Sequence, residues 1–391
     1  MNNLESNINK PHIVILGAGF GGLTLASELD HLAEEGKAQV TLVDKNLSFS
    51  MGFSMQWAMV DRRNPEDGER YYSALKPRYV KFIQDEIIAI ETEKYTLHTK
   101  SFHLDYDYLV IALGAELSME PIPGLAENAY NLCELQSVMK LKDALKTVTE
   151  GTIVIMIVST PFKCPPAPYE YAFLIDEILR RKNVRKKIRL LLTTPEPQPM
   201  PVAGKAAGDF IKSILSDKGI EYFPLHKPKT VTGKKIVYEN GFELNHDILC
   251  VMPVHRAPKA VRDSGLTDAS GFVPVDLGSF TTRAERIYAV GDVTSIKLPN
   301  GNPHPKAGVF AEAQAHTVAR NIVAEILGTK REEYTGVGVC YIDVGNEKAS
   351  PANISLLTPD GPKAIISEPL TDGLKGKELF ESERLQKWFL A

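Results

Sequence analysis

The chain has 391 residues, enough for two or three domains that each bury a core of their own. An apolar fraction of 43%, a charged fraction of 24% and a formal net charge of −4 leave no basic surplus for nucleic acid and no charged tail. No run approaches the roughly 18–20 apolar residues that span a bilayer, so any membrane contact is expected to be peripheral. The polar opening from Met1 to Lys10 lacks the apolar stretch of a signal peptide, which points to the cytoplasm. The four cysteines, Cys133, Cys164, Cys250 and Cys340, are too scattered for a structural disulfide framework, and none forms a zinc-type Cys-x-x-Cys pair, so no metal is expected.

In chain order, His12 to Leu16 is a short apolar run of strand type, followed by Gly17-Ala-Gly19-Phe20-Gly-Gly22 and a helix-periodic stretch from Leu23 to Leu32. A second strand, Gln39 to Val43, ends at Asp44. Strand, glycine turn, helix, strand and acid in this order make a dinucleotide-binding unit. Gly17 permits the tight turn, Gly19 lets the backbone approach a pyrophosphate, and Gly22 lets the helix pack on the strand. The helix N-terminus offers N–H donors to the phosphates, and Asp44 can accept from a ribose hydroxyl.

Residues 68–116 read as short strands that close on Tyr106-Asp-Tyr-Leu-Val-Ile-Ala112-Leu-Gly114-Ala. Far downstream, Arg286-Ile-Tyr-Ala-Val-Gly291-Asp292 is another apolar strand ending in Gly-Asp. With the glycine turn, these two segments resemble the flavoprotein disulfide reductases and their relatives. The resemblance implies FAD rather than NAD at Gly17–Gly22, with Asp292 on the ribityl chain.

Between them lies a second α/β unit. Thr152 to Val158 is a strand, Tyr169 to Arg181 a helix, Lys187 to Leu192 a further strand, and Ile236 to Val254 alternates as a β-meander would. The expected fold is α/β, with two Rossmann-like domains, the second inserted into the first. Residues 10–116 and 270–332 form the FAD-binding domain, 117–269 the second domain, and 333–391 a small C-terminal segment.

Where the second unit should carry its own glycine loop, the chain reads Thr160-Pro-Phe-Lys-Cys164-Pro-Pro-Ala-Pro-Tyr-Glu170. Proline lacks the N–H that a phosphate cradle needs and stiffens the backbone, so NADH binding there is poorly supported. A rigid turn at a strand end instead suits the display of one side chain, Cys164. Adjacent Lys163 and the following helix N-terminus are expected to favour its thiolate. Glu170 reads equally as a capping acid for that helix and as a proton acceptor beside the thiol.

Here the chain resembles the sulfide:quinone oxidoreductases and the flavoprotein subunit of flavocytochrome c sulfide dehydrogenase. That family pairs this cysteine with one near the C-terminus, and Cys340, in Gly338-Val-Cys-Tyr-Ile-Asp-Val-Gly345, is the matching candidate. Pro305-Lys306-Ala-Gly308 also fits, and the resemblance places Lys306 by the isoalloxazine, against the alternative of an exposed lysine before a helix. Cys133 stands where many of the quinone reductases carry a third cysteine, a catalytic role set against that of a small buried hydrophobe. Cys250, in an apolar run, reads as core.

Two departures from the pattern matter. Histidines that some members carry have no counterpart here: Ser137 stands four residues after Cys133, and 190–205 holds none. Proton handling then falls to Glu170 or water. Between Asp44 and Asp61 there is no cysteine, so FAD is expected to be bound non-covalently.

The resemblance implies oxidation of sulfide through a Cys164–Cys340 redox pair, the freed thiolate, assigned to Cys340, reducing the flavin, with a membrane quinone as final acceptor. The competing readings are a sulfide dehydrogenase that donates to a cytochrome-like protein, an NADH:quinone oxidoreductase, and a flavin-bearing redox sensor. The C-terminal stretch Glu378 to Leu390 reads as a helix that caps the flavin domain, in preference to an interfacial anchor. The apolar segment Phe49 to Trp57 is a candidate lining for the flavin or quinone pocket. A homo-oligomer stays open.

Overall fold

The structure, a computed structural model, describes residues 10–390. The leader reading for Met1 to Asn9 lies outside them. Two parallel five-stranded sheets organise the chain. The first runs, edge to edge, Ile287–Ala289, Tyr108–Ile111, His12–Leu16, Gln39–Asp44 and Lys81–Gln84. Four of its strands are largely buried on both faces, as crossover helices require, while Lys81–Gln84 at the edge is partly exposed. The helices Phe20–Glu34 and Gly308–Leu327 cover one face, where Leu25, Leu29, Val318 and Ile322 meet Ile13 and Val40. Strands from both ends of the chain therefore share one sheet, with the second unit threaded between them.

The second sheet runs Tyr130–Asn131, Ile248–Met252, Gly151–Ile157, Ile188–Thr193 and Glu221–Phe223, all parallel. This corrects the meander expected over 236–254. Only Pro228–Thr232, Lys235–Tyr238 and Glu243–Asn245 form an antiparallel meander. Ile248–Met252 pairs in parallel with Gly151–Ile157, and all five of its residues are buried. Their continuous apolar character is the mark of a strand covered on both faces, not of one half exposed to water. Cys250 lies in this strand, in the core as expected.

Two strands that carry the chain out of and back towards the first unit, Glu116–Ser118 and Val254–Arg256, pair antiparallel. The C-terminal segment is an antiparallel sheet of Val337–Gly345, Lys348–Ser355 and Lys363–Ile366, followed by the helix Thr371–Trp388. At the end of that helix Trp388 is fully buried, with its ring 5.3 Å from Phe20 and 5.5 Å from Phe49. Leu385 and Phe389 are buried beside it, while Leu379 is exposed. The aromatic end of the helix therefore caps the core of the first unit. Among the described residues, no helix is long and apolar enough to cross a membrane.

Candidate active site

The glycine turn is built as its spacing predicts. Gly17 has φ +94°, and a Cβ there would lie 2.6 Å from the Ala112 carbonyl oxygen. A Cβ on Gly22 would lie 1.7 Å from the Gly17 carbonyl oxygen, so helix and turn touch backbone to backbone. Gly19 differs: nothing of the protein lies within 4 Å of its missing Cβ. It stands at the start of the helix Phe20–Glu34, whose N-terminus has no side-chain cap. Open space before uncapped N–H groups is what a bound pyrophosphate requires. Asp44 already accepts from the Ala18 N–H at 2.6 Å and from Asn46, fixing the end of its strand against the turn.

A cavity of about 380 Å³ starts at this turn and runs into the second unit. Gly19, Phe20, Ala112, Gly114, Gly291, Asp292, Lys306, Cys133, Cys164, Glu170 and Cys340 all line it. Gly17, Gly22 and Asp44 are not part of its lining, and Asp44 is half-buried at the end of its strand. Phe49, Met51, Phe53, Met55 and Gln56, from the apolar segment singled out in the sequence, also face it. The glycine turn, the open helix end and the long cavity fit a flavin nucleotide.

Lys306 is not the exposed lysine of the alternative reading. It is buried, donates to the carbonyls of Asp292 at 2.7 Å and Thr294 at 2.8 Å, and sits 3.7 Å above the Phe272 ring. Burial brings its pKa down to about 8, against the pull of Asp292 and Asp268. Burial likewise pushes the Asp292 carboxyl up, opposed by Lys306 and Lys163.

The proline-rich loop places Cys164 at φ +55°, a left-handed conformation costly for a residue with a side chain. Two backbone bonds hold it there: the Cys164 N–H donates to the Lys306 carbonyl at 2.7 Å, and its own carbonyl accepts from Ala167 at 2.8 Å. Its exposure is to the cavity rather than to bulk water. Cys340 enters from the strand Val337–Gly345, and Cys133 lies across the chamber with its sulfur 3.9 Å from that of Met252. All four cysteines are free thiols in this structure.

The expected low thiol pKa is not found. Burial, then the Glu170 carboxylate, raise the Cys164 thiol, and the same causes push Cys340 up to about 12. Burial raises Cys133 too, against the charge of Lys163. The apolar walls outweigh the nearby cations, so in this chamber the free thiols hold their protons.

Glu170 proves to be a junction. Its Oε1 accepts from Lys377 Nζ at 2.6 Å and from the Asp343 backbone N–H at 2.8 Å, and its Oε2 accepts from Gln56 at 3.2 Å. Both Glu170 and Lys377 are almost fully buried. Burial opposes the charge on Lys377, yet Glu170 and Asp343 outweigh it and keep its pKa above the ordinary value. Asp343 in turn accepts from Trp57 at 3.0 Å and from Arg62 at 2.5 Å. The strand that carries Cys340 is thus tied through Asp343 to the helix that follows Cys164. Lys377, Asp343 and Arg62 were not singled out in the sequence, and Gln56 was read only as part of the apolar segment Phe49 to Trp57.

The pattern of the pyridine nucleotide-disulphide oxidoreductases matches residues 11–157, and that of the central part of the sulfide dehydrogenase (flavocytochrome c) flavoprotein chain matches 138–253. The chain is similar to two-domain flavoprotein oxidoreductases, and among them to the sulfide:quinone oxidoreductases and the flavocytochrome c sulfide dehydrogenase flavoprotein. Among its relatives, a mitochondrial sulfide:quinone oxidoreductase of Dictyostelium discoideum is 26% identical over 87% of this chain and 76% of its own. A sulfide-quinone reductase of Aquifex aeolicus is 25% identical over 86% of this chain and 82% of its own. The solved sulfide:quinone oxidoreductase of Aquifex aeolicus superposes with a TM-score of 0.87 at 24% identity, covering 96% of this chain and 91% of that one. A type II NADH:quinone oxidoreductase of Staphylococcus aureus is 24% identical over 93% of this chain and 91% of its own. Similarity to these flavoproteins implies a flavin cofactor.

Proposed function

We propose that this protein is an FAD-dependent sulfide:quinone oxidoreductase that works through Cys164 and Cys340. The observation that carries the reading is the meeting of Cys164, Cys340 and Cys133 in one chamber continuous with the nucleotide cradle, at the strand end where a nicotinamide cofactor would need a glycine loop. The names and coverage of the relatives support sulfide as donor and quinone as acceptor. FAD is bound non-covalently, held by the turn Gly17–Gly22, Asp44 and Asp292.

The chemistry begins from a Cys164–Cys340 disulfide. Hydrosulfide attacks one sulfur, a new S–S bond forms as the old one breaks, and the products are one persulfide and one free thiolate, with the incoming proton passed on. The thiolate is formed in an apolar space, where Lys377 supplies the nearest positive charge and Glu170 holds that charge in place. Gln56 and Asp343 keep the carboxylate oriented. Lys306, pinned by two carbonyls, holds the segment that fixes Cys164. Flavin, when bound, supplies the two-electron step from thiolate to quinone. Apolar walls from Met55, Leu132, Met200 and Met252 exclude water from the reactive sulfur.

The test is anaerobic titration of the purified yellow protein with sulfide and, separately, with NADH. Bleaching by sulfide, with reoxidation by a soluble quinone analogue, is the expected result. Bleaching by NADH alone would overturn the reading in favour of the NADH:quinone relatives.

A further inference from the structure

A chain of buried side chains joins two segments that line the cavity. The Gly291 N–H donates to Gln314 Oε1 at 2.7 Å. The Gln314 amide bonds the Tyr334 hydroxyl. That hydroxyl lies 3.0 Å from His304 Nε2, and His304 Nδ1 lies 2.9 Å from the Pro305 carbonyl oxygen. Gln314, Tyr334 and His304 are all buried, while Gly291 and Pro305 at the two ends face the cavity.

The two ends fix the direction of every bond between them. A backbone N–H can only donate, so Gln314 turns its oxygen to Gly291 and its NH2 to Tyr334. A carbonyl can only accept, so His304 carries its proton on Nδ1 and offers a bare Nε2 to Tyr334. Burial keeps the ring neutral, bringing the His304 pKa down to about 4 against the bond to the Pro305 carbonyl. The two requirements meet at Tyr334 without conflict: its oxygen accepts from Gln314, and its proton goes to His304. The chain therefore has a single polarity, and each bond supports the next.

Each part of the chain sits beside a residue of the site. Gly291 precedes Asp292, whose carbonyl holds the Lys306 ammonium at 2.7 Å. Pro305 precedes Lys306, whose carbonyl holds the Cys164 N–H at 2.7 Å. Tyr334 stands in the connection between the helix Gly308–Leu327 and the strand Val337–Gly345 that carries Cys340. We infer that Tyr334 is a positioning residue whose hydroxyl, through Gln314 and His304, sets the Gly291-Asp292 and Pro305-Lys306 segments for the flavin. The inference rests on the reading of the cavity as a flavin seat.

The test is FAD binding to the deflavinated full chain, followed by quenching of flavin fluorescence. Tyr334→Phe keeps the ring, which packs 5.0 Å from that of Phe280, and cuts the chain at its middle. Loss of this buried hydroxyl is expected to raise the FAD dissociation constant about tenfold. Tyr238→Phe is the control. It removes a buried hydroxyl of the second unit, bonded to Thr193 at 3.1 Å, and should bind FAD as the natural protein does. A structural role alone would lower the stability of both variants and leave FAD affinity unmoved. Unchanged FAD binding by Tyr334→Phe, or equal weakening by both variants, would overturn the inference. A second measurement needs no flavin: nitrogen-15 NMR of the histidine-labelled protein at neutral pH, with the His304 signals identified by their loss in His304→Gln. A proton on Nδ1 and none on Nε2 is expected, and a protonated Nε2 would overturn the polarity on which the chain depends. A natural protein that takes up no FAD defeats the reading of the cavity, and the nitrogen shifts still decide the chain.

Discussion

The Cys164 backbone N–H donates to the Lys306 carbonyl at 2.7 Å, so the loop of the second unit is pinned to the segment that returns to the nucleotide cradle. Lys306 is in turn held through its ammonium by Asp292 and Thr294. A thiol in a left-handed residue is thereby fixed with respect to the proposed cradle by its own backbone N–H and, one step on, by the Lys306 ammonium. The side chain stays free for chemistry.

Cys164→Ser should keep this backbone arrangement, since serine has nearly the same shape. It should lower the rate of sulfide-dependent flavin reduction by about two orders of magnitude or more, because a hydroxyl cannot form the S–S bond. Anaerobic stopped-flow at the flavin band measures it. An unchanged rate would remove Cys164 from the mechanism.

The Glu170–Lys377 pair predicts an asymmetry in stability. Glu170→Gln leaves a buried ammonium without its carboxylate, which costs about 3–5 kcal/mol. The double variant Glu170→Gln with Lys377→Met removes the stranded charge and should recover much of that loss. Chemical denaturation of the two variants decides the matter, and a double variant no more stable than the single one would show that the pair is not the source.

This pair also marks the limit of what the sequence discloses. The glycine turn and Asp44 lie within one local unit, where spacing along the chain maps directly onto distance in space. Glu170 and Lys377 stand 207 positions apart, and Lys377 lies on a helix whose exposed Leu379 and buried Lys377 and Glu381 reverse the usual polarity. Nothing local reveals such a helix, because what permits the inversion is a carboxylate brought from elsewhere by the fold. Cys340 was legible only through family resemblance. The strand Ile248–Met252 was misread because its surroundings alternate and it does not. The thiol pKa was misjudged because adjacency to Lys163 is visible in sequence and the depth of the chamber is not.

Lys306 gives a prediction in pH. Its folded-state pKa, about 8, lies below the ordinary 10.5, so between these values the unfolded chain binds a proton that the folded chain does not. Stability is therefore expected to rise with pH across that window through this group, by roughly 3 kcal/mol in all, and below pH 8 the full cost of charging it in the fold is present. Lys306→Met should remove this slope. The difference between the two proteins' denaturation midpoints at pH 8 and pH 10 isolates it from other groups that titrate there.

The two glycines of the turn should fail in different ways. Gly22→Ala forces a methyl to within 1.7 Å of the Gly17 carbonyl oxygen, backbone that cannot step aside without parting helix from strand. The cofactor-free protein is expected to lose about 3 kcal/mol or more. Gly19→Ala meets nothing of the protein within 4 Å, and its φ of −86° suits alanine. The cofactor-free protein should then be as stable as the natural one, while the methyl occupies the space that a pyrophosphate needs against the helix N–H groups. Flavin content per chain after purification and thermal denaturation of the deflavinated proteins give the two readouts. A Gly19→Ala protein that is stable and fully yellow would show that the nucleotide does not approach the backbone there.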